Sequence, residues 1–109
     1  MHIPERGDIV KINFDPVAGH EQGGLRPALV LSNIEYNNFT GQCVLVPITS
    51  KVKGFAYEVN LVGTSTIKGV VLSDHLRSMD WRARKIQFIE RVGEDVLDEV
   101  SARSKSLLE

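Results

Sequence analysis

The feature that most constrains this chain is how its apolar residues are cut up: they come in short runs separated by glycine, proline and asparagine, with a helical period only near the end. Asp8 to Phe14 alternates Ile9, Val10, Ile12 and Phe14 with polar residues and stops at Asp15-Pro16, the pattern of a strand closed by a breaker. Ala28 to Leu31 and Cys43 to Ile48 are continuous apolar runs, as expected of strands buried on both faces. Phe55, Tyr57, Val59 and Leu61 alternate, and Val70 to Leu72 and Ile86 to Ile89 complete the set. Tyr36-Asn37-Asn38 marks a turn or short helix. Val96, Leu97, Val100, Leu107 and Leu108 fall near one face at helical spacing, with Glu94 and Asp95 at the end that a helix dipole favours for acids. Closely spaced short strands followed by one helix predict a mainly β fold, a small barrel or curved antiparallel sheet with the C-terminal helix packed on it.

At 109 residues the chain fits one domain, expected over 1–109, and it shows no repeat, low-complexity stretch or dividing linker. No apolar run approaches the roughly 20 residues that a membrane span needs. The N-terminal Met1 to Arg6 lacks the basic and apolar regions of a secretory signal, which leads us to expect a soluble, cytoplasmic protein. Cys43, flanked by Val44, Leu45 and Val46, reads as an inert buried strand thiol.

Charge narrows the function classes. A net charge of -1 argues against a general nucleic-acid coating protein, which would be basic overall. The distribution is uneven, however: Arg77, Arg82, Arg84, Lys85 and Arg91 cluster against only Asp80 and Glu90, while Glu94, Asp95, Asp98 and Glu99 make the tail acidic. A local basic surface is compatible with that pattern, and so is a solvated mixed-charge face. There is no HExxH, Walker loop or GxSxG, and His2, His20 and His75 are scattered, so neither a bound metal nor a cofactor is expected.

Two junctions remain as sites for chemistry. Arg26-Pro27 stands between a loop rich in glycine (Gly19, Gly23, Gly24) and a buried strand, where a scaffold can aim a guanidinium; an exposed loop arginine is the plainer reading. Pro47-Ile48-Thr49-Ser50 ends a buried strand with two hydroxyls, suited either to capping a turn or to holding a phosphate.

Taken in order, these segments resemble the MazF/PemK/Kid toxin family. The resemblance runs through Gly7-Asp8-Ile9-Val10, Phe14-Asp15-Pro16, Gly19-His20-Glu21-Gln22, Arg26-Pro27-Ala28, Tyr36-Asn37 and Pro47-Ile48-Thr49-Ser50. It continues in Gly69-Val70-Val71-Leu72, Asp74, Arg77-Ser78-Met79-Asp80 and Trp81-Arg82-Ala83-Arg84, covering essentially the whole chain. It implies an SH3-like barrel, a homodimer, and a metal-independent, sequence-specific endoribonuclease that cuts single-stranded RNA, inhibits translation and is restrained by a protein antitoxin.

The resemblance places the family's catalytic arginine on Arg26 and its threonine on Thr49, with Glu21 in the loop to accept a proton or orient Arg26. His20, Asp74 and Ser50 follow as secondary catalytic or RNA-binding candidates. Lys51, Lys53, Arg77, Trp81, Arg82, Arg84 and Lys85 are expected RNA contacts; for Trp81 the readings are stacking a base, receiving a hydrophobic antitoxin side chain, or a partly buried packing role. In the Kid-like branch an arginine two residues before the aspartate takes part in catalysis; here that position is Leu72, so a scheme relying on it does not transfer. The rival reading is a non-enzymatic toxin of the same fold that grips DNA gyrase. The Arg26 and Thr49 pairing and a tail ending Leu107-Leu108-Glu109, without an aromatic C-terminus, count against it.

Overall fold

A computed structural model of the chain describes residues 2–16, 19 and 23–109. The strands are β1 (Asp8–Asn13), β2 (Leu25–Val30), β3 (Gln42–Thr49), β4 (Glu58–Asn60), β5 (Val70–Leu72), β6 (Arg77–Asp80) and β7 (Gln87–Arg91). The helices are α1 (Ile34–Thr40) and α2 (Glu94–Ser106). All pairings are antiparallel, in the order β4-β5-β3-β2-β1-β7, with β6 also on β3. The expected curved antiparallel sheet is therefore found, with open ends at β4 and β7.

β3 organises this sheet. One edge pairs with β2; the other pairs with β6 through Gln42 to Leu45 and then with β5 through Ile48 and Thr49. Pro47, which has no N–H to offer a ladder, falls in the gap between those two partners.

The continuous apolar runs are explained by burial on both faces. Ile9, Leu29, Val46, Ile48 and Val71 point to one core, which Val96 and Val100 of α2 cover. Val10, Ile12, Ala28, Val30, Cys43 and Leu45 point to the other, closed by Phe14, Met79 and Trp81. Neighbours in sequence thus serve opposite cores, as the two-residue period of a strand requires. Cys43 is fully buried, and burial pushes its thiol up to about 12, as expected of an unreactive core cysteine.

Three details depart from the sequence reading. Only Glu58–Asn60 of the alternating Phe55 to Leu61 stretch enters the sheet, and Phe55 is exposed. Arg77–Asp80, read as part of a basic stretch, is a strand in which Met79 alone is buried; a polar edge strand carries little apolar signal. Helix α2 ends at Ser106, and Leu107 and Leu108 are 39% and 84% exposed, so the buried stripe runs instead through Val96, Val100, Ser101 and Ser104. None of the described helices is long and apolar enough to cross a membrane.

Candidate active site

Strand register brings the two catalytic candidates together. Ala28 lies opposite Pro47 on β2 and β3, and carrying that register on by two residues sets Arg26 opposite Thr49. On its other side Thr49 pairs with Val70 of β5. With strands about 4.8 Å apart, Arg26 and the chain entering β5 flank Thr49. The resulting cleft, about 370 Å³, is lined by Arg26, Ile48, Thr49 and Ser50 on one side and by Thr66, Ile67 and Lys68 on the other.

Each side chain is held by local bonds. Arg26 Nε donates to Gly23 O at 2.6 Å, fixing the guanidinium plane against the loop neck. That neck is itself closed by Phe14 N donating to Gly24 O and Gly24 N donating to Asp15 Oδ1, each at 2.9 Å. Thr49 is 7% exposed, and its Oγ1 accepts the Lys51 N–H at 3.2 Å; a hydroxyl engaged as an acceptor keeps its proton to donate. Ser50 beside it is exposed.

Gly69 sets the closeness of the two walls. Its φ is +124°, and a Cβ there would stand 2.2 Å from Thr49 O and 3.1 Å from Ser50 Cα, so only glycine lets β5 begin against the end of β3. Lys68 precedes it and lines the cleft. The segment behind Lys68 is tied to β7: Glu90 accepts from Ser65 N (2.8 Å), Thr66 N (2.9 Å) and Ile67 N (2.8 Å). Those backbone donors, above all Ile67 and Ser65, hold the Glu90 carboxyl below the usual carboxylate range, with the Lys68 charge adding to the effect. Sequence reasoning passed over Lys68, named Gly69 only within the family segment and Glu90 only as an opposing charge, because a lone lysine, glycine or glutamate carries no pattern that reveals these contacts.

The remaining candidates are spread out. Glu21 and His20 lie outside the described residues. Asp74 is exposed in the turn after β5, at the far end of that strand from Thr49, with His75 Nε2 3.8 Å away; one chain does not gather it into the cleft. Lys51 and Lys53 are exposed in the loop after β3, Lys53 with its Nζ 5.9 Å from the Phe55 ring centre. Arg82 and Lys85 are exposed.

Arg77 and Arg84 are partly committed to the fold. Arg77 donates to Phe14 O at 3.2 Å, and Arg84 to Asn13 O and Asp15 O at 2.6 and 2.7 Å, stapling the loop that precedes Arg26. Trp81 requires correction as a base-stacking residue: it is 1% exposed, packed among Val10, Cys43 and Met79, and its Nε1 donates to Asn37 O at 2.9 Å. A ring buried among strands offers no face to a base, and Arg82 covers it, with 4.8 Å from its guanidinium carbon to the ring centre. Among the described residues, no group of three or more His, Cys, Asp or Glu is placed to share a metal.

Comparison with known proteins identifies the family. The family model for the PemK-like, MazF-like toxin of type II toxin-antitoxin systems matches residues 5–108. The endoribonuclease toxin MazF of Escherichia coli (strain K12) is 48% identical over 83 residues, which cover 76% of this chain and 74% of that protein. Among solved structures, MazF from Deinococcus radiodurans superposes with a TM-score of 0.95 at 48% identity, covering 99% of this chain and 98% of that one. The MazE-MazF complex from the same organism superposes with a TM-score of 0.88 at 48% identity, covering 99% and 97%. The chain therefore belongs to the PemK-like, MazF-like toxin family of type II toxin-antitoxin systems.

Proposed function

We propose that residues 1–109 form one toxin domain that acts in the cytoplasm as a sequence-specific, metal-independent endoribonuclease on single-stranded RNA, inhibiting translation and growth. The observation that carries this reading is that Arg26 and Thr49 line one cleft. The gyrase-binding alternative is not supported, since the E. coli relative at 48% identity is named an endoribonuclease toxin.

The reaction is a transesterification. The ribose 2'-oxygen attacks the adjacent phosphorus, the bond from phosphorus to the 5'-oxygen breaks, and the products are a 2',3'-cyclic phosphate and a 5'-hydroxyl. One proton leaves the 2'-hydroxyl for a base and another reaches the departing 5'-oxygen from an acid. Negative charge accumulates on the five-coordinate phosphorus, where the forked guanidinium of Arg26 matches two phosphate oxygens in charge and geometry. Thr49 donates its hydroxyl proton to a phosphate oxygen and sets the register of the substrate, with Ser50 beside it. Glu21 and His20 are proposed as the proton carriers on the strength of the family resemblance. Asp74 receives no step in this cleft. The exposed Lys51, Lys53, Arg82 and Lys85, with the uncommitted donors of Arg77 and Arg84, are proposed to contact RNA phosphates.

The toxin is proposed to act as a homodimer and to be silenced by an antitoxin whose acidic segment occupies the RNA groove and folds on binding. The MazE-MazF complex at 48% identity supports such a partner.

The test is to incubate the purified protein with a long RNA and map the new 5' ends. Cleavage is expected to continue in EDTA and to stop when the ribose 5' of the cut carries no 2'-hydroxyl. Arg26→Ala and Thr49→Ala are each expected to lose about 10²- to 10³-fold in rate with unchanged circular dichroism. Efficient cutting of the deoxy-substituted strand, or full activity of Arg26→Ala, refutes the mechanism. Inhibition of gyrase supercoiling by an RNA-inactive protein establishes the rival.

A further inference from the structure

The cleft has a wall whose construction the catalytic residues do not explain. Residues 64–68 form no strand or helix, yet the segment is tied at every step. Thr64, itself buried, donates from Oγ1 to Ile67 O at 2.5 Å, and Lys68 Nζ donates to Thr64 O at 2.6 Å. From outside the segment, the two oxygens of Glu90 hold three successive amides, and Ile67 packs against the core beneath α2. A loop of this length held by one carboxylate and one apolar anchor is a rigid support.

What it supports is a cation at the cleft. Lys68 is exposed and lines the same cavity as Arg26 and Thr49. An ammonium has three donors, and the bond to Thr64 O uses one and fixes where the others point. Among the described residues Lys68 makes no ion pair within 4.0 Å; the nearby carboxylate of Glu90 is occupied by backbone amides. Because β3 lies between β2 and β5, Arg26 and Lys68 stand on either side of Thr49, roughly two strand spacings or ~10 Å apart along the cleft. That spacing is between backbones; both long side chains line the one cleft, from which they can reach phosphates of one extended strand.

We propose that Lys68 binds an RNA backbone phosphate next to the one being cleaved, and that Glu90 is a positioning residue that sets Lys68 by holding the 65–67 amides. The inference rests on the ribonuclease reading above. It assigns the wall a role in substrate binding rather than in the chemical step.

Steady-state cleavage of a long RNA, together with binding of a 2'-fluoro RNA that cannot be cut, tests it. Lys68→Ala is expected to raise KM about 10-fold, with a larger effect on KM than on kcat. It should also flatten the plot of log affinity against log salt by about 0.7 between roughly 50 and 200 mM. Lys68→Arg keeps the cation and should restore most of the affinity. Glu90→Ala is expected to raise KM and to speed hydrogen exchange at the Ser65, Thr66 and Ile67 amides, which Lys68→Ala leaves slow. Glu90→Gln, which keeps one acceptor oxygen, should be intermediate in both. Because Glu90 acts through Lys68, the double variant should be little worse than Lys68→Ala alone.

Wild-type KM and salt slope in Lys68→Ala overturn the phosphate assignment, and full additivity in the double variant overturns the positioning role. Arg26→Ala in the same assay separates the two levels. If it is inactive while Lys68→Ala is silent, only this inference fails; if it cleaves normally, the reading beneath it fails.

Discussion

The two ends of the β1 to β3 ladder carry similar side chains and use them in opposite ways. At the end where β1 and β3 begin, polar groups are turned inward and matched to each other. Asp8, 1% exposed, accepts from Arg91 Nη1 at 2.5 Å, His2 Nε2 at 2.8 Å and Glu5 N at 2.9 Å. Asn37, fully buried in α1, donates to Pro4 O and Ser32 O, accepts from Ser32 Oγ, and offers its backbone carbonyl to Trp81 Nε1. At the other end Arg26, Thr49, Ser50 and Lys68 surround an open cleft, and the bonds they make aim them without using them up. Saturated polar groups stabilise a fold, whereas oriented groups with donors to spare bind a substrate.

The largest test of this contrast is at the saturated end. Trp81→Ala removes a fully buried ring and leaves Asn37 O without its indole donor, and is expected to cost about 3 to 5 kcal/mol of stability in a denaturant titration. Trp81→Phe keeps most of the packing and loses only the bond, so about 1 to 3 kcal/mol is expected. The folded Phe variant should bind RNA with a wild-type KM. A KM raised several-fold in that variant would return Trp81 to the RNA surface and dissolve the distinction between the two ends.

Gly69→Ala probes the open end. The added Cβ meets Thr49 O and Ser50 Cα, both backbone atoms, so the end of β3 must move. A displacement of about 1 Å at a catalytic group commonly costs about 10²-fold, or roughly 2.7 kcal/mol in the barrier. The rate is expected to fall by that order while the two cores, built by other residues, keep most of the stability. A variant that melts early but cleaves at the wild-type rate would show that Gly69 serves the sheet and not the site.

The same contrast governs what was legible in the sequence. Strands β1, β2, β3 and β5 announce themselves because burial on one or both faces writes an apolar pattern into the chain. Thr49 and Arg26 stand out at strand junctions and gain their proposed roles from the family resemblance, and the structure adds the cleft that both line. For Trp81 the sequence leaves stacking and packing open, and burial decides for packing; an edge strand and a turn place the charged Arg82 and Arg84 beside a buried ring, and local composition does not reveal which way a side chain points. The roles of Lys68, Gly69 and Glu90 are not legible in the sequence because they arise from contacts between segments far apart in the chain, such as Glu90 with residues 65–67. Leu107 and Leu108 continue the helical period beyond the point where the helix has a core to face.

The smallest expected effect concerns acid, and it asks whether the wall of the cleft is held by charge. Glu90 is bound by three amides in the folded protein, which lowers its pKa, and these bonds are absent in the unfolded chain, where a glutamate titrates near 4.3. The folded state therefore holds its proton less tightly than the unfolded state does. The stabilisation from these bonds is fully present above the unfolded value and is lost as pH falls through the lowered folded one. An NMR titration should show the Glu90 carboxyl changing protonation at lower pH than an ordinary glutamate, with the Ser65, Thr66 and Ile67 amides shifting over the same range. Stability measured across that range should fall less steeply in Glu90→Gln than in the wild type, while above about pH 5 the two should run parallel. A Glu90 that titrates at or above the ordinary glutamate value would mean that the three amide bonds do not persist in solution, and the wall would then have to be held by Ile67 and Thr64 alone.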